Sequence, residues 1–357
     1  MSCGDRDGPA SCRTSTGRFL MDSIDRRTFV KSGVALSAAP VSVRAALPPE
    51  QDTDPLEARF QYQDGRSPWP LCLDTATIRP TSIQEKIRVA SEAGFEAIEP
   101  WDGELHQWEE SGRSLEELRS MIEDAGLFVP SVIGLWNAIP GTREQWEASL
   151  AASRNRMRMA SAIGSEHIQV IPQPRRPWQE FDLEWASDRY RDLLEIGLKD
   201  YQVNPAIVFV QFLPGVSRLG QAAAIALDAD HPNARIIPDV FHMYIGGSGF
   251  SSLRQIQGDF IAIFQFNDAP ASPSRDQLKD EHRVHPGDGI LPLESCLRDL
   301  QSIGYSRCIS LELYNPLYWK QDPMVVAREA RDKCLSVIER ALRPASSLQS
   351  NNSRSHS

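Results

Sequence analysis

The feature that most restricts the fold of this chain is a regular alternation of short apolar runs with amphipathic segments. The apolar runs, which we interpret as strands, are Leu71–Ile78, Glu96–Trp101, Phe128–Trp136, His167–Pro172, Ala206–Leu213, Arg235–Val240, Ile261–Asn267 and Cys308–Tyr314. Segments with helical periodicity alternate with them: Ser82–Ala93, Ser114–Ala125, Glu144–Ile163, Glu184–Tyr201, Leu219–Asp228, Leu293–Ile303 and Pro323–Ala341. Strands that alternate with helices predict a parallel sheet, and eight strands are the number that closes a barrel.

An open, doubly wound sheet is the alternative architecture. It requires a glycine-rich phosphate turn after the first strand. The turn here, Asp74–Pro80, contains no glycine. We therefore predict an α/β fold, a single (β/α)8 TIM barrel.

The N-terminal region has the pattern of an export signal rather than of the barrel. Asp25–Lys31 contains paired arginines, then a phenylalanine and a lysine, and a weakly apolar stretch follows. This resembles a twin-arginine signal, which predicts a periplasmic or otherwise exported protein. The predicted organisation is an N-terminal extension with the signal over 1–46, a linker or surface arm over 47–68, the barrel over 69–343 and a disordered tail over 344–357.

Charge and composition exclude several classes of partner. Residues 1–46 carry seven basic and four acidic side chains, a net charge of +3, and the whole chain is −10, so the remainder is −13. Such a surface repels phosphate backbones, which argues against a nucleic acid partner and against a nuclease. No apolar run approaches the roughly 20 residues needed to span a membrane. Cys72, Cys296, Cys308 and Cys334 have no zinc or redox spacing, and the sequence leaves open disulfide pairing and a homo-oligomer.

Polar residues follow the predicted strands at the ends where such barrels carry their active sites. Asp239 ends the sixth strand and His242 follows it, while Glu312 lies between two leucines of the eighth. Gln211 and Gln265 are lone polar residues on strands five and seven. A buried carboxylate is costly without a cation, so a metal or basic partner is expected near Glu312. The structural alternatives are a turn cap for Asp239, an outward ion pair for Glu312 and satisfied buried amides for the glutamines.

Together these segments resemble the xylose-isomerase-like (β/α)8 barrels, which include sugar and sugar-phosphate isomerases and epimerases, inosose dehydratases and hydroxypyruvate isomerases. The resemblance runs from about Leu71 to Ala341. The segments that carry it are Phe95–Trp101, Gln211–Leu213, Asp239–His242, Gln265–Asp268, Asp280–Gly289 and Leu311–Pro316.

This resemblance implies one divalent metal ion, manganese, cobalt or magnesium. In the family a strand-5 Glu, a strand-6 Asp, a strand-7 His or Gln and a strand-8 Glu hold the ion, and residue by residue these positions fall on Gln211, Asp239, Gln265 and Glu312. It also implies that Glu312 and His242 are catalytic and that Arg283 binds substrate. At the predicted mouth, Glu99, Trp101 and His106 are further candidates for substrate binding. Structural alternatives are barrel filling for Trp101 and simple exposure for His106.

We therefore expect a metal-dependent isomerase, epimerase or related lyase that moves a proton alpha to the carbonyl of a small sugar or polyol. One departure opens an alternative. The resemblance places the strand-5 Glu at Gln211, and glutamine is not a base. A sugar-binding pseudoenzyme is therefore the second hypothesis.

Overall fold

The computed structural model describes residues 60–172, 182–212 and 215–342. The predicted signal and the predicted tail lie outside these ranges, and so do most of the linker and Leu213, the last residue of the fifth predicted strand. Within them the predicted alternation is confirmed.

Eight parallel strands form the centre of the fold. They are β1 (Leu71–Asp74), β2 (Ala97–Glu99), β3 (Ser131–Trp136), β4 (His167–Ile171), β5 (Asn204–Val208), β6 (Ile236–Ile237), β7 (Phe264–Phe266) and β8 (Ile309–Leu311). The helices are α1 (Ile83–Ala93), α2 (Asp102–Glu110), α3 (Leu115–Asp124), α4 (Arg143–Ala162), α5 (Leu183–Ile196), α6 (Leu219–Asp228), α7 (Val240–Ile245), α8 (Leu293–Ser302) and α9 (Pro323–Leu342).

The strands close into a barrel in chain order. Continuous pairing gives two four-stranded sheets, β2-β1-β8-β7 and β3-β4-β5-β6. Single parallel bridges join them at both seams, including Trp101 with Ile133 and Asp239 with Gln265. The (β/α)8 prediction is therefore confirmed, and the strand ends converge on one face as such a barrel requires.

Two apolar layers stabilise this arrangement. A large layer lies between the strands and the surrounding helices. A smaller inner layer fills the barrel with side chains from every strand or its approach: Cys72, Ala97, Ile133, Ile171, Ala206, Val208, Ile237, Ala262, Ile263 and Cys308. On β5 the inner residues Ala206 and Val208 are two apart, because strand side chains alternate between faces.

The structure differs from the sequence prediction mainly around the mouth of the barrel. After strand β2 the chain forms α2, and after β6 it forms the short helix α7; neither helix is among the predicted helical segments. Both insertions follow strand ends, where local capping decides the structure. The described part of the predicted arm is anchored: Gln63 is buried and donates to the Glu96 carboxylate at 2.6 Å.

Two further observations concern the described residues alone. The cysteines Cys72, Cys296, Cys308 and Cys334 are buried and free. No helix within the described ranges has both the length and the apolar character needed to cross a bilayer.

Candidate functional site

A fully buried arginine lies at the C-terminal ends of strands β6 and β8. Arg283 is in the segment between β7 and α8, and its side chain is 0% exposed. One guanidinium nitrogen, Nη1, lies 2.7 Å from Asp239 Oδ2 and 2.7 Å from Glu312 Oε2. A single buried cation therefore bridges the two carboxylates that the sequence analysis expected to meet.

The other side of the guanidinium is also occupied. Nη2 donates to Asp280 Oδ1 at 2.8 Å and lies 3.0 Å from His242 Nε2. The rings of Phe241 and Tyr314 lie 5.1 and 5.0 Å from the guanidinium carbon. Arg283 is thus enclosed by its partners, and its side chain does not line the cavity described below.

Asp239 and Glu312 also accept hydrogen bonds from groups other than Arg283. Asp239 caps the N-terminus of α7, because its Oδ1 accepts the His242 backbone N–H at 2.7 Å. Its other oxygen, Oδ2, accepts the Asn267 amide at 3.0 Å. Glu312 Oε1 accepts the Tyr314 hydroxyl at 2.6 Å. The turn-cap interpretation of Asp239 is therefore correct, and it holds together with the ion pair.

The acidic groups do not share the positive charge equally. Burial is the largest single influence and acts to raise the pKa of Asp239, but Arg283, His242 and the hydrogen bonds to the carboxylate together outweigh burial and hold that pKa below its ordinary value. Burial raises the pKa of Glu312 to about 8, against the opposing effect of Arg283 and with the added repulsion of Asp239. Burial also lowers the pKa of His242. Because one guanidinium cannot offset two buried carboxylates, Glu312 is the group that exchanges a proton near neutral pH.

A cavity of about 370 Å³ opens next to Glu312 at this end of the barrel. Trp101 and Trp136 form one wall, with their ring centroids 5.4 Å apart. The polar and charged side chains that line the cavity are those of Arg79, Gln169, His242, Gln265, Asp280, Glu281, Glu312 and Tyr314. Indole walls with a few convergent polar groups are suited to a small hydroxylated ring.

Gln211 is not part of this site. Its side chain is exposed in the turn after β5, and only its backbone N–H approaches the site, 3.4 Å from His242 Nδ1. The β5 residue that lines the cavity is Val208. The resemblance placed the strand-5 ligand at Gln211, but β5 ends at Val208, so Gln211 lies three residues beyond the strand.

Two more of the predicted substrate-binding residues lie away from the cavity. Glu99 is buried inside the barrel, where its carboxylate accepts the Gln169 amide at 2.6 Å and the Ser310 hydroxyl at 2.7 Å. His106 is exposed on α2 and pairs with Glu110 at 3.1 Å. Of the predicted substrate-binding residues, only Trp101 lines the cavity.

The side chains present do not fit the four-ligand metal site that the resemblance implies. Val208 contributes no donor atom, and Gln265 contributes an uncharged amide. The two carboxylates that remain, Asp239 and Glu312, are both bound to Arg283. Among the described residues, no group of three or more His, Cys, Asp and Glu side chains is arranged to hold a metal ion. A hard divalent ion prefers several charged oxygen ligands, and this set of side chains does not supply them.

The sequence analysis missed several residues that define the cavity. Arg79, Gln169, Asp280 and Tyr314 line it, yet each comes from a different segment of the chain. Gln169 is a polar residue inside the apolar run of β4, and Asp280 and Tyr314 lie in segments that carry the resemblance, so these three had an available signal. Arg79 had no comparable signal, because a loop brings it to the cavity.

Comparisons with known proteins agree with this fold. The sequence model of the family described as "Xylose isomerase-like TIM barrel" matches residues 87–334. Inosose isomerase of Bacillus licheniformis is 31% identical over 186 residues, which are 52% of this chain and 66% of that relative. The 3-dehydroshikimate dehydratase of Pseudomonas putida is 24% identical over 238 residues, 66% of this chain and 36% of that protein.

A crystal structure described as "IOLI protein with a binding zinc atom" has a TM-score of 0.71 at 22% identity, covering 77% of this chain and 100% of that one. At this identity the match establishes the fold. The relatives matched by sequence are isomerases, a dehydratase and an epimerase, and they give no support to a binding-only pseudoenzyme.

Replacing Arg283 tests whether the buried cation holds this end of the barrel together. Arg283→Met should lower the free energy of unfolding by roughly 3–5 kcal/mol near neutral pH, because the buried carboxylates lose their partner. Arg283 depresses the pKa of Asp239, so its stabilisation is present above the unfolded-state pKa of that residue and is lost as pH falls through the folded-state pKa. The deficit, measured by urea unfolding, should therefore shrink as pH is lowered.

The matched control is Arg88→Met. Arg88 also contacts two carboxylates, Glu85 at 2.5 Å and Glu92 at 2.7 Å, but on the solvent-exposed face of α1. Exposed ion pairs contribute little, so this variant should unfold like the wild type. Equal urea midpoints for the two variants would show that burial of Arg283 does not matter.

Proposed function

Since the chain belongs to the xylose isomerase-like TIM barrel family, we propose that it is an isomerase, an epimerase or a related lyase for a small sugar or polyol. The reaction class is proton transfer at a carbon next to a carbonyl. The observation that carries this proposal is Glu312, a carboxyl group with a raised pKa beside an indole-walled cavity.

Glu312 is the proposed general base. Its carboxylate removes the proton alpha to the carbonyl, and the electron pair of that C–H bond moves into the carbonyl group to give an enediolate. A base is most effective when its pKa lies near the working pH, which the value of about 8 supports. The same group can return the proton to the neighbouring carbon, which gives an isomer.

His242 is the proposed second proton carrier. It lines the same cavity, and its lowered pKa keeps the imidazole neutral at physiological pH. The two ring nitrogens face N–H donors, the Gln211 backbone N–H at Nδ1 and Arg283 Nη2 at Nε2, so the neutral imidazole acts as a proton acceptor. It can take a proton from solvent and pass it to the face of the enediolate opposite Glu312, which keeps the proton that it removed, and the product is an epimer.

Gln265 lines the cavity, and its buried Nε2 makes no hydrogen bond of good geometry among the described residues, although it lies near enough to Glu99 to act against the raised pKa of that carboxyl group. The amide can therefore turn to donate to the developing oxyanion.

Arg283 is a positioning residue in this proposal. It does not line the cavity, so the substrate contact expected from the resemblance is replaced by a contact with Glu312. With Tyr314 it fixes both oxygens of the Glu312 carboxyl group. A fixed carboxylate keeps its basic lone pair in one orientation toward the substrate.

Export through the twin-arginine route is a further part of the proposal. It rests on the sequence alone, on the Arg26 and Arg27 pair followed by Phe29 and Lys31. These residues lie outside the ranges that the structure describes. Cell fractionation of the full chain should find it outside the cytoplasm, and Arg26→Lys with Arg27→Lys should retain it inside. Equal distribution of the two forms would contradict export by this route.

Removing the Glu312 carboxyl tests the catalytic proposal. Glu312→Gln should reduce exchange of substrate C–H hydrogen with D2O, followed by NMR over ketoses and inososes, by at least about 100-fold. In the wild type the rate should rise with pH through about 8, because only the ionised carboxylate accepts a proton. Glu281→Gln, at an exposed carboxyl that lines the same cavity, is the matched control. Retained exchange in Glu312→Gln, or a pH profile shared by both variants, would exclude Glu312 as the base.

Metal binding can be tested apart from activity. After incubation with manganese, cobalt, magnesium or zinc and then dialysis, elemental analysis of the wild type should find well below one ion per chain. Val208→Glu combined with Gln265→His should raise the content toward one, because the first change supplies the missing fourth donor and the second replaces a neutral amide with an imidazole, a stronger ligand. Gln211→Glu should add none, because position 211 is exposed. One retained ion per wild-type chain would refute our conclusion about the donor set, even if the double variant fails to fold.

A further inference from the structure

Arg79 is a cation without a charged partner at the rim of the cavity. It follows β1, and its side chain is exposed. Its guanidinium carbon lies 4.9 Å from the ring centre of Trp101 and 6.0 Å from that of Trp319. Within the described parts of the chain, Arg79 has no recorded hydrogen bond or ion pair. The two rings hold the guanidinium while leaving its N–H groups unpaired.

The surroundings of Arg79 make this lack of a partner significant. It is the only Arg or Lys among the described residues that line the cavity, and the carboxyl groups there belong to Asp280, Glu281 and Glu312. None of the three pairs with it. Asp280 instead contacts Arg283 at 2.8 Å. An unpaired guanidinium in an otherwise acidic cavity is a ready binding group for an anion.

Arg79 also lies at the border of a second cavity of about 540 Å³. Both cavities are lined by Arg79 and Trp101, which places the guanidinium where a substrate in the first cavity extends toward the second. The other cation of the second cavity is already neutralised, because Lys86 contacts Glu104 at 2.6 Å. Arg79 is therefore the group available to an incoming anion at this border.

Contacts between aromatic rings connect this rim to the reacting group. Trp101 lies under Arg79, and its ring centroid is 5.9 Å from that of Tyr314. The Tyr314 hydroxyl in turn donates to Glu312. A substrate ring against Trp101 can therefore reach Glu312 with one end and Arg79 with the other.

We propose that Arg79 binds the carboxylate of an acidic sugar or polyol whose reacting carbon faces Glu312. This inference rests on the proposed function and narrows its substrate class. The planar guanidinium matches a carboxylate with two parallel N–H···O bonds. A phosphate dianion fits less well, because it needs more donors than one arginine supplies and because the three nearby carboxyl groups repel its two negative charges more strongly than the single charge of a carboxylate.

Equilibrium binding to matched sugar pairs tests this assignment. The probes are D-glucuronate with D-glucose and D-galacturonate with D-galactose, each pair differing in a carboxylate for a hydroxymethyl group, measured by calorimetry. The wild type should bind the acids at least about tenfold more tightly, as expected for one charge-assisted contact. Arg79→Gln should remove the preference, and Arg79→Lys should keep part of it.

The control is Arg143→Gln. Arg143 is also exposed and lies over an indole, 5.9 Å from the Trp185 ring centre, but it lines neither cavity. Arg143→Gln removes the same positive charge, but away from both cavities. This variant should therefore retain the preference for acids.

Three results would overturn the proposal. The first is a wild type that binds no acid or shows no preference for acids. The second is an equal loss of affinity for acidic and neutral sugars in Arg79→Gln, which would show that Arg79 only forms part of the cavity wall. The third is tighter binding of D-glucose 6-phosphate than of D-glucuronate. Binding is measured without turnover, so this test is independent of the proposed reaction. A protein that prefers acids but exchanges no C–H hydrogen with D2O would contradict the proposed reaction and still support the Arg79 site.

Discussion

The buried guanidinium of Arg283 is the interaction on which this end of the barrel depends. Its partner Asp239 lies just after β6 and its partner Glu312 just after β8, while Arg283 itself belongs to the segment after β7. Each of these charges is costly to bury alone, so each is stable in place only when all three are present. Among the described residues, the seam between β6 and β7 contains only two isolated bridges, Ile236 with Ile261 and Asp239 with Gln265. The ion pairs therefore join strands where backbone pairing is sparse.

The same arrangement divides two roles between similar residues. Asp239 takes the charge of Arg283 and keeps a low pKa, while Glu312 lies at the cavity with a raised pKa. Two carboxyl groups that share one cation cannot both ionise easily, because the second negative charge is only partly compensated. One of them thus maintains the structure and the other is available for proton transfer. This separation links the packing of the barrel to its proposed chemistry.

The site also departs from the pattern of its family in a specific way. The family resemblance implies four ligands around a divalent ion, and one structural relative is described with bound zinc. Here Val208, which has no donor atom, stands at the strand-5 position, and the cation between the two carboxylates is Arg283. The fold tolerates this change because an apolar residue on β5 packs into the inner layer. In the proposed reaction, hydrogen-bond donors such as Gln265 replace the metal in stabilising negative charge.

The sequence by itself determined the barrel, because periodicity and strand number depend on local patterns. It also identified Asp239, Glu312 and His242, since polar residues at apolar strand ends are visible in one dimension. Only the tertiary structure decided that Val208 rather than Gln211 faces inward, because strand ends were uncertain and β5 ends three residues before Gln211. It also decided that Arg283 lies between the carboxylates and Arg79 beside Trp101. Loop residues meet through the closure of the barrel, and that closure is a property of all eight strands together.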